Sequence, residues 1–153
     1  MINLLSAEDA FSEAVQLYNK HEFGNSIPYF LHALRNISKE NYQANEYLCF
    51  YGLCLIRLGN RDEGFNKCLV AAEAELKNSE VFAILARAAI TMARRKIAIK
   101  AISQGLAIEP QNAKIRNLKN ELGVRRGPML GFLSRDNFLN VQLGKFFYKS
   151  GHS

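Results

Sequence analysis

Residues 45–78 read NEYLCFYGLCLIRLGNRDEGFNKCLVAAEAELKN, and residues 79–112 read SEVFAILARAAITMARRKIAIKAISQGLAIEPQN. Written one above the other, the two 34-residue stretches place small residues opposite small residues: Gly52 over Ala86, Gly64 over Ala98, Ala71 over Gly105. Larger apolar residues fill the positions between, Leu55 over Ala89 and Cys68 over Ile102. Apolar residues recur at helical spacing on both sides of a turn signal, Leu58-Gly59-Asn60 in the first stretch. Gly suits a helix C-terminus and Asn can cap the helix that follows. Two antiparallel helices approach closely only where a side chain is nearly absent, so the shared small positions mark where paired helices touch. Each stretch therefore predicts one helical hairpin.

The pattern extends upstream. Residues 7–40 repeat it 38 positions ahead, which implies a four-residue insertion near 38–44, with Ala14, Ser26 and Ala33 at the small sites and Leu17 and Phe30 between them. Phe23-Gly24-Asn25 is expected to do the work of the Leu58-Gly59-Asn60 turn, with Pro28 within the first turn or so of the next helix, where a missing N–H is tolerated. Downstream, Ile108-Glu109-Pro110 closes the third hairpin. Residues 113–122 then read as a capping helix with Ile115, Leu118 and Leu122 on its inner face.

The spacing, the triplets of small residues, the LGN turn at 58–60 and the closing AIEP at 107–110 together resemble the tetratricopeptide repeat (TPR) over about 7–122. The resemblance implies an all-α solenoid of three hairpins (7–40, 45–78, 79–112) and a cap (113–122), stacked with a right-handed curve. It also implies a concave surface, built from the first helix of each hairpin, that binds peptides. Helical spacing puts Phe11, Val15 and Tyr18, then Cys49, Leu53 and Ile56, then Ala83, Arg87 and Ile90 on that surface, with Phe50 and Ile84 flanking. The chain departs from the family pattern at several points. The aromatic near the start of the first helix is present only as Phe82, against Ala10 and Leu48. The closing Pro is replaced by Ser38 and Leu76 in the first two units, and the third turn, Ala93-Arg94-Arg95, has no Gly. Family members that grip a terminal carboxylate use Lys, Arg and Asn in the groove. Here only Arg87, with Arg57 and Asn19 nearby, is of that kind, so the groove is expected to be apolar.

Residues 123–131 read as a linker and 132–153 as an amphipathic tail. In the tail, Ser134 could cap a helix over about 135–149 that carries Leu139, Leu143 and Phe147, with Phe138 and Phe146 beside them. Such a tail is expected to fold back over the groove. The competing readings are an anchor for a partner or a second copy, and an interfacial membrane helix.

Charge is unevenly placed along the 153 residues. Residues 1–46 carry 3 basic and 6 acidic groups and residues 87–126 carry 10 and 2, within a net charge of +6. The basic face comprises Arg94, Arg95, Lys96, Lys100, Lys114, Arg116, Lys119, Arg125 and Arg126. It lacks interleaved aromatics and a recognisable nucleic-acid module, which argues against nucleic acid and leaves a solvated face, an acidic protein or a lipid surface. There is no Gly-rich phosphate loop, no CxxC pair and no HExxH, and the three His stand apart, so no cofactor, metal site or catalytic group is expected. The odd count of Cys in apolar stretches, with no signal peptide and no apolar run of membrane length, points to a cytoplasmic setting. The expected function is that of a non-catalytic protein- or peptide-binding adaptor. Alternatives are a small secretion-type chaperone for apolar client segments, and a basic-face tether to membrane or nucleic acid.

Overall fold

The computed structural model describes residues 1–123; the linker from 124 onward and the tail lie outside the described residues. Seven α-helices follow a short 3-10 turn at Ile2–Leu4: α1 (Ala7–Asn19), α2 (Phe23–Asn36), α3 (Ala44–Arg57), α4 (Arg61–Glu73), α5 (Ser79–Thr91), α6 (Arg95–Ile108) and α7 (Ala113–Glu121). No strand occurs among the described residues. The fold is an all-α helical-hairpin solenoid, with α1/α2, α3/α4 and α5/α6 as the hairpins and α7 against the last of them.

The small residues lie where helices cross. Ala14, Ser26, Ala33, Gly52, Gly64, Ala71, Ala86, Ala98 and Gly105 are all buried. In the middle hairpin the two backbones are in contact. A Cβ on Gly52 would run into the Gly64 carbonyl and stand 2.9 Å from Cys68 Sγ; one on Gly64 would run into the Gly52 carbonyl. Gly105 gives the same clearance to the cap, because a Cβ there would overlap the end of Ile115.

A second set of equivalent positions joins one hairpin to the next. Tyr47, Tyr51 and Cys54 of α3 pack on Phe30 and Ala33 of α2. Their 34-residue equivalents, Val81, Leu85 and Ala88, are fully buried. In α1 the same positions hold Asp9, Glu13 and Gln16, polar residues that meet no preceding hairpin among the described residues. At the other end, Ala113, Arg116 and Asn120 of α7 are exposed, whereas their equivalents Ser79, Phe82 and Ala86 are buried against α6. Among the described residues the array thus has apolar contacts between units and polar faces on its first and last helices, as a solenoid needs.

The turns differ from the expectation in one respect. The residue in the left-handed region is His21 (φ 62°), Gly59 (φ 97°) and Ala93 (φ 56°) in the three hairpins, spaced 38 and 34 apart like the repeats themselves. Gly24 does not make the first turn. It lies inside α2, and Pro28 is the sixth residue of that helix. Helix α2 begins two residues after the left-handed residue because that residue, and not the nearest Gly, reverses the chain. Asn60 likewise makes no side-chain cap. Ser6, Asn78 and Asn112 do cap, accepting from the backbone N–H of Asp9, Glu80 and Ile115.

Candidate functional site

The first helices of the hairpins run side by side in the same direction. Phe11, early in α1, stacks on Tyr47, early in α3, with centroids 3.9 Å apart and planes 12° off parallel. Late in the same helices, Arg57 Nε donates to Tyr18 Oη at 3.4 Å. Further along, Asn78 Nδ2 donates to Glu46 at 3.0 Å, Lys114 pairs with Glu80 at 2.7 Å and Arg87 with Glu121 at 3.0 Å. Helices α1, α3, α5 and α7 therefore form one layer.

Across the first half of this layer runs an aromatic strip. Phe11 meets the edge of Phe50 at 5.7 Å, Phe50 meets Tyr18 at 5.7 Å, and Tyr18 meets Phe23 at 5.1 Å. All four are half-buried. Such edge-to-face contacts hold the rings in fixed relative positions and contribute roughly 0.5–1.5 kcal/mol each beyond their burial. Arg57 closes the strip at one end, its guanidinium 5.9 Å from the Phe23 centroid. At the other end, burial first, and then Glu8 and Glu46, push the Tyr47 hydroxyl above the usual tyrosine range.

Of the nine residues expected to line the groove, Phe11, Val15, Tyr18, Arg87 and Ile90 are half-buried on this layer. The other four, Cys49, Leu53, Ile56 and Ala83, are buried, at 0 to 5% exposure. Cys49 shows why: its thiol reaches the Val81 carbonyl at 3.6 Å, and Cys68 Sγ donates to the Cys49 carbonyl at 3.2 Å, so the side chain belongs to the contact between α3 and its neighbours. Burial pushes the Cys49 thiol well above its usual value, and raises Cys54 against the opposing hydrogen bond from Ser26. These sulfurs stay protonated and pack as small apolar groups. Phe50, expected only to flank the groove, is central to the strip.

Several of the basic residues have partners within the fold. Arg94 lies over the Phe65 ring at 4.6 Å and reaches Asp62 at 3.9 Å. Arg95 donates to the Leu122 carbonyl at 2.9 Å, Lys114 is paired with Glu80, and Arg116 donates to Gln111 at 2.8 Å. Burial, and then Lys96, lower the Lys100 ammonium from its usual value. Lys96 is exposed and Lys119 half-buried, while Arg125 and Arg126 lie outside the described residues. Among the described residues, no group of three or more His, Cys, Asp or Glu could hold a metal, and no helix is long and apolar enough to cross a membrane.

Two polar contacts also follow the repeat and were missed in the sequence. Glu75 and Glu109, 34 residues apart, each sit in the turn that precedes a first helix. Glu75 accepts from Asn45 and from the backbone N–H groups of Leu76, Lys77 and Asn78; Glu109 accepts from Ser79 and Asn112. Arg61 and Arg95, also 34 apart, each donate to a carbonyl at the end of the next first helix, Thr91 at 3.2 Å and Leu122 at 2.9 Å. The signal was present as E-x-x-N at 75–78 and 109–112, and is visible once the alignment is extended from apolar to polar positions.

No protein-family model and no curated protein matches the chain. Among solved structures, the chain is similar to the Arabidopsis OM64 TPR domain, with a TM-score of 0.60 over 79% of this chain and 97% of that one, at 18% sequence identity. At that identity the likeness is one of fold, and the fold it bears out is the tetratricopeptide-like solenoid.

Proposed function

We propose that this protein is a non-catalytic adaptor that binds a protein or peptide segment along the layer formed by α1, α3 and α5. The observation that carries the reading is the strip of Phe11, Tyr18, Phe50 and Phe23, four half-buried aromatic rings in a chain of edge contacts, three on α1 and α3 and the fourth at the start of α2. Aromatic residues in contact with water at fixed positions offer large apolar area at little entropic cost, which is what recognition surfaces use. The strip, with Val15, Arg87 and Ile90, is the site we assign, and the buried Cys49, Leu53, Ile56 and Ala83 act as its support. The amphipathic tail at 132–153 is a candidate cover for the same surface when no partner is bound, and a client chaperone would use the surface in the same way. The domain limits of 1–122, 123–131 and 132–153 follow from this division of labour.

The test is a capture experiment with the wild-type chain and Val15→Glu. The substitution places a charge at a half-buried position of the groove, where Val15 packs on Ala14, Phe30 and Cys54. A protein retained by wild type and lost by the variant, with unchanged melting temperature, is the expected result. Retention that is indifferent to Val15→Glu but lost on reversing charges at Lys96, Arg116 and Lys119 would instead favour the basic-face tether, with a steep dependence on salt.

A further inference from the structure

The charges of the layer are unevenly paired. In its second half they neutralise each other, Lys114 with Glu80 and Arg87 with Glu121. In its first half, on the face that carries Phe11 and Phe50, Glu8 and Glu46 at the start of the helices and Arg57 at their end are in no ion pair among the described residues. Glu8 is exposed, and Glu46 is half-buried with its one bond from Asn78. Glu8 and Glu46 lie one helical turn before Phe11 and Phe50, and both, with Tyr42, 76% exposed, act on the Tyr47 hydroxyl to raise it after burial. At the opposite end, Arg57 is exposed and gives only Nε to Tyr18, while Phe23 and Tyr18 fix where the guanidinium sits. Between the two ends lie Phe11, Val15, Phe50 and Tyr18. From Glu8 to Tyr18 is ten residues of helix, about 15 Å at 1.5 Å per residue. The aromatic strip therefore has an acidic rim at one end and a cationic rim at the other.

We infer that this half of the groove takes a protein segment whose apolar residues are bracketed by a cation and a carboxylate about 15 Å apart, the cation toward Glu8 and Glu46 and the carboxylate toward Arg57. The inference rests on the groove reading above and adds the charge pattern and direction of the occupant. Arg presents a planar fork that matches a carboxylate, and the aromatic edges beneath it reduce the freedom lost when the pair forms. At the other rim a Lys or Arg meets two carboxylates and an exposed tyrosine ring, which attract a cation by charge and by the ring face. The apolar strip supplies affinity, and the two rims choose the partner and its direction.

Three fluorescein-labelled amphipathic peptides of about sixteen residues, helical at 1.5 Å per residue, test this against the full chain at low ionic strength. All share one Leu/Phe face and differ only at two positions about ten residues apart: Lys and Glu, two Lys, or two Glu. The expected result in fluorescence anisotropy is that the mixed-charge peptide binds about fivefold tighter than either like-charged one, the scale of a favourable exposed ion pair. Arg57→Glu should turn the ranking toward the two-Lys peptide. Unlabelled peptide 132–149, which carries Asp136 and Lys145 around Phe138, Leu139 and Leu143, should displace the mixed-charge probe. Equal affinity of the three peptides, an unchanged ranking in Arg57→Glu, or no displacement by 132–149 would overturn the charge pattern while leaving an apolar groove. Binding by none of them would overturn the groove reading and this inference together.

Discussion

Replacing Gly52 and Gly24 by alanine, one at a time, separates the two things a helical glycine can do. At Gly52 the added methyl meets the Gly64 carbonyl of α4, Cys68 Sγ at 2.9 Å and Lys67 Cβ at 3.1 Å. The first obstacle is helical backbone and cannot turn aside, so α3 and α4 must separate along a contact that also involves Ile56 and Cys68. Overpacking of this kind costs about 1–3 kcal/mol. Alanine returns up to about 1 kcal/mol through its better helix propensity, which leaves Gly52→Ala less stable by up to about 2 kcal/mol. Gly24 is helical too, but nothing lies within 4 Å of its Cβ position. There only the propensity gain remains, and Gly24→Ala is expected to be more stable by about 0.5 kcal/mol. Thermal unfolding followed by circular dichroism should move the two midpoints in opposite directions, at about 2–4 °C per kcal/mol for a chain of this size. If Gly52→Ala melts at or above wild type, the backbone contact between α3 and α4 is not tight and the hairpin register derived from the small residues is wrong.

Ala93 holds a left-handed φ of 56° that glycine adopts freely, so Ala93→Gly should raise stability by about 0.5–1 kcal/mol, read as a higher urea midpoint; a lower midpoint would refute the assignment of that turn. Burial alone would raise the Glu75 carboxyl, but its bonds from Lys77, Asn45, Asn78 and Leu76 outweigh that and lower it. A depressed folded pKa stabilises above the ordinary glutamate value of about 4.3 and is lost as pH falls through the folded value. Melting temperature should therefore drop more steeply below about pH 4.3 in wild type than in Glu75→Gln, and parallel curves would contradict the bond set. Asn112 caps α7 through the Ile115 N–H and also reaches Ser79 and Glu109. Asn112→Ala should lose about 1–2 kcal/mol, and hydrogen exchange should quicken in α7 before α3; protection lost evenly would argue against a local cap.

The architecture was legible because it depends on side-chain size. Nine small residues in register could be read without knowing any contact, and all nine are buried where helices meet. The first turn was misread because Gly24 is the obvious chain-reverser by composition, while His21 takes the strained conformation by position; the 38-residue offset from Gly59 carried that information. The site was legible only in part. Helical spacing assigns a face, but the depth of a residue on that face depends on its neighbours. Cys49 and Ala83 are short and sink between helices, whereas Phe50 and Tyr18 are long enough to reach the surface. Charge counting marked a basic region but not its contacts, since Arg94, Arg95 and Lys114 each reach a partner far along the chain.

The contrast between inner and outer faces limits how such a chain can lengthen. Asp9, Glu13 and Gln16 at one end, and Arg116 and Asn120 at the other, would each put polar groups into a dry contact if another unit were joined there. Residues 45–78, by contrast, carry apolar surfaces that meet a predecessor on one side and a successor on the other. Tandem duplication of that internal 34-residue module extends the array without rewriting either terminus, whereas appending a module outside them requires the terminus to be redesigned first.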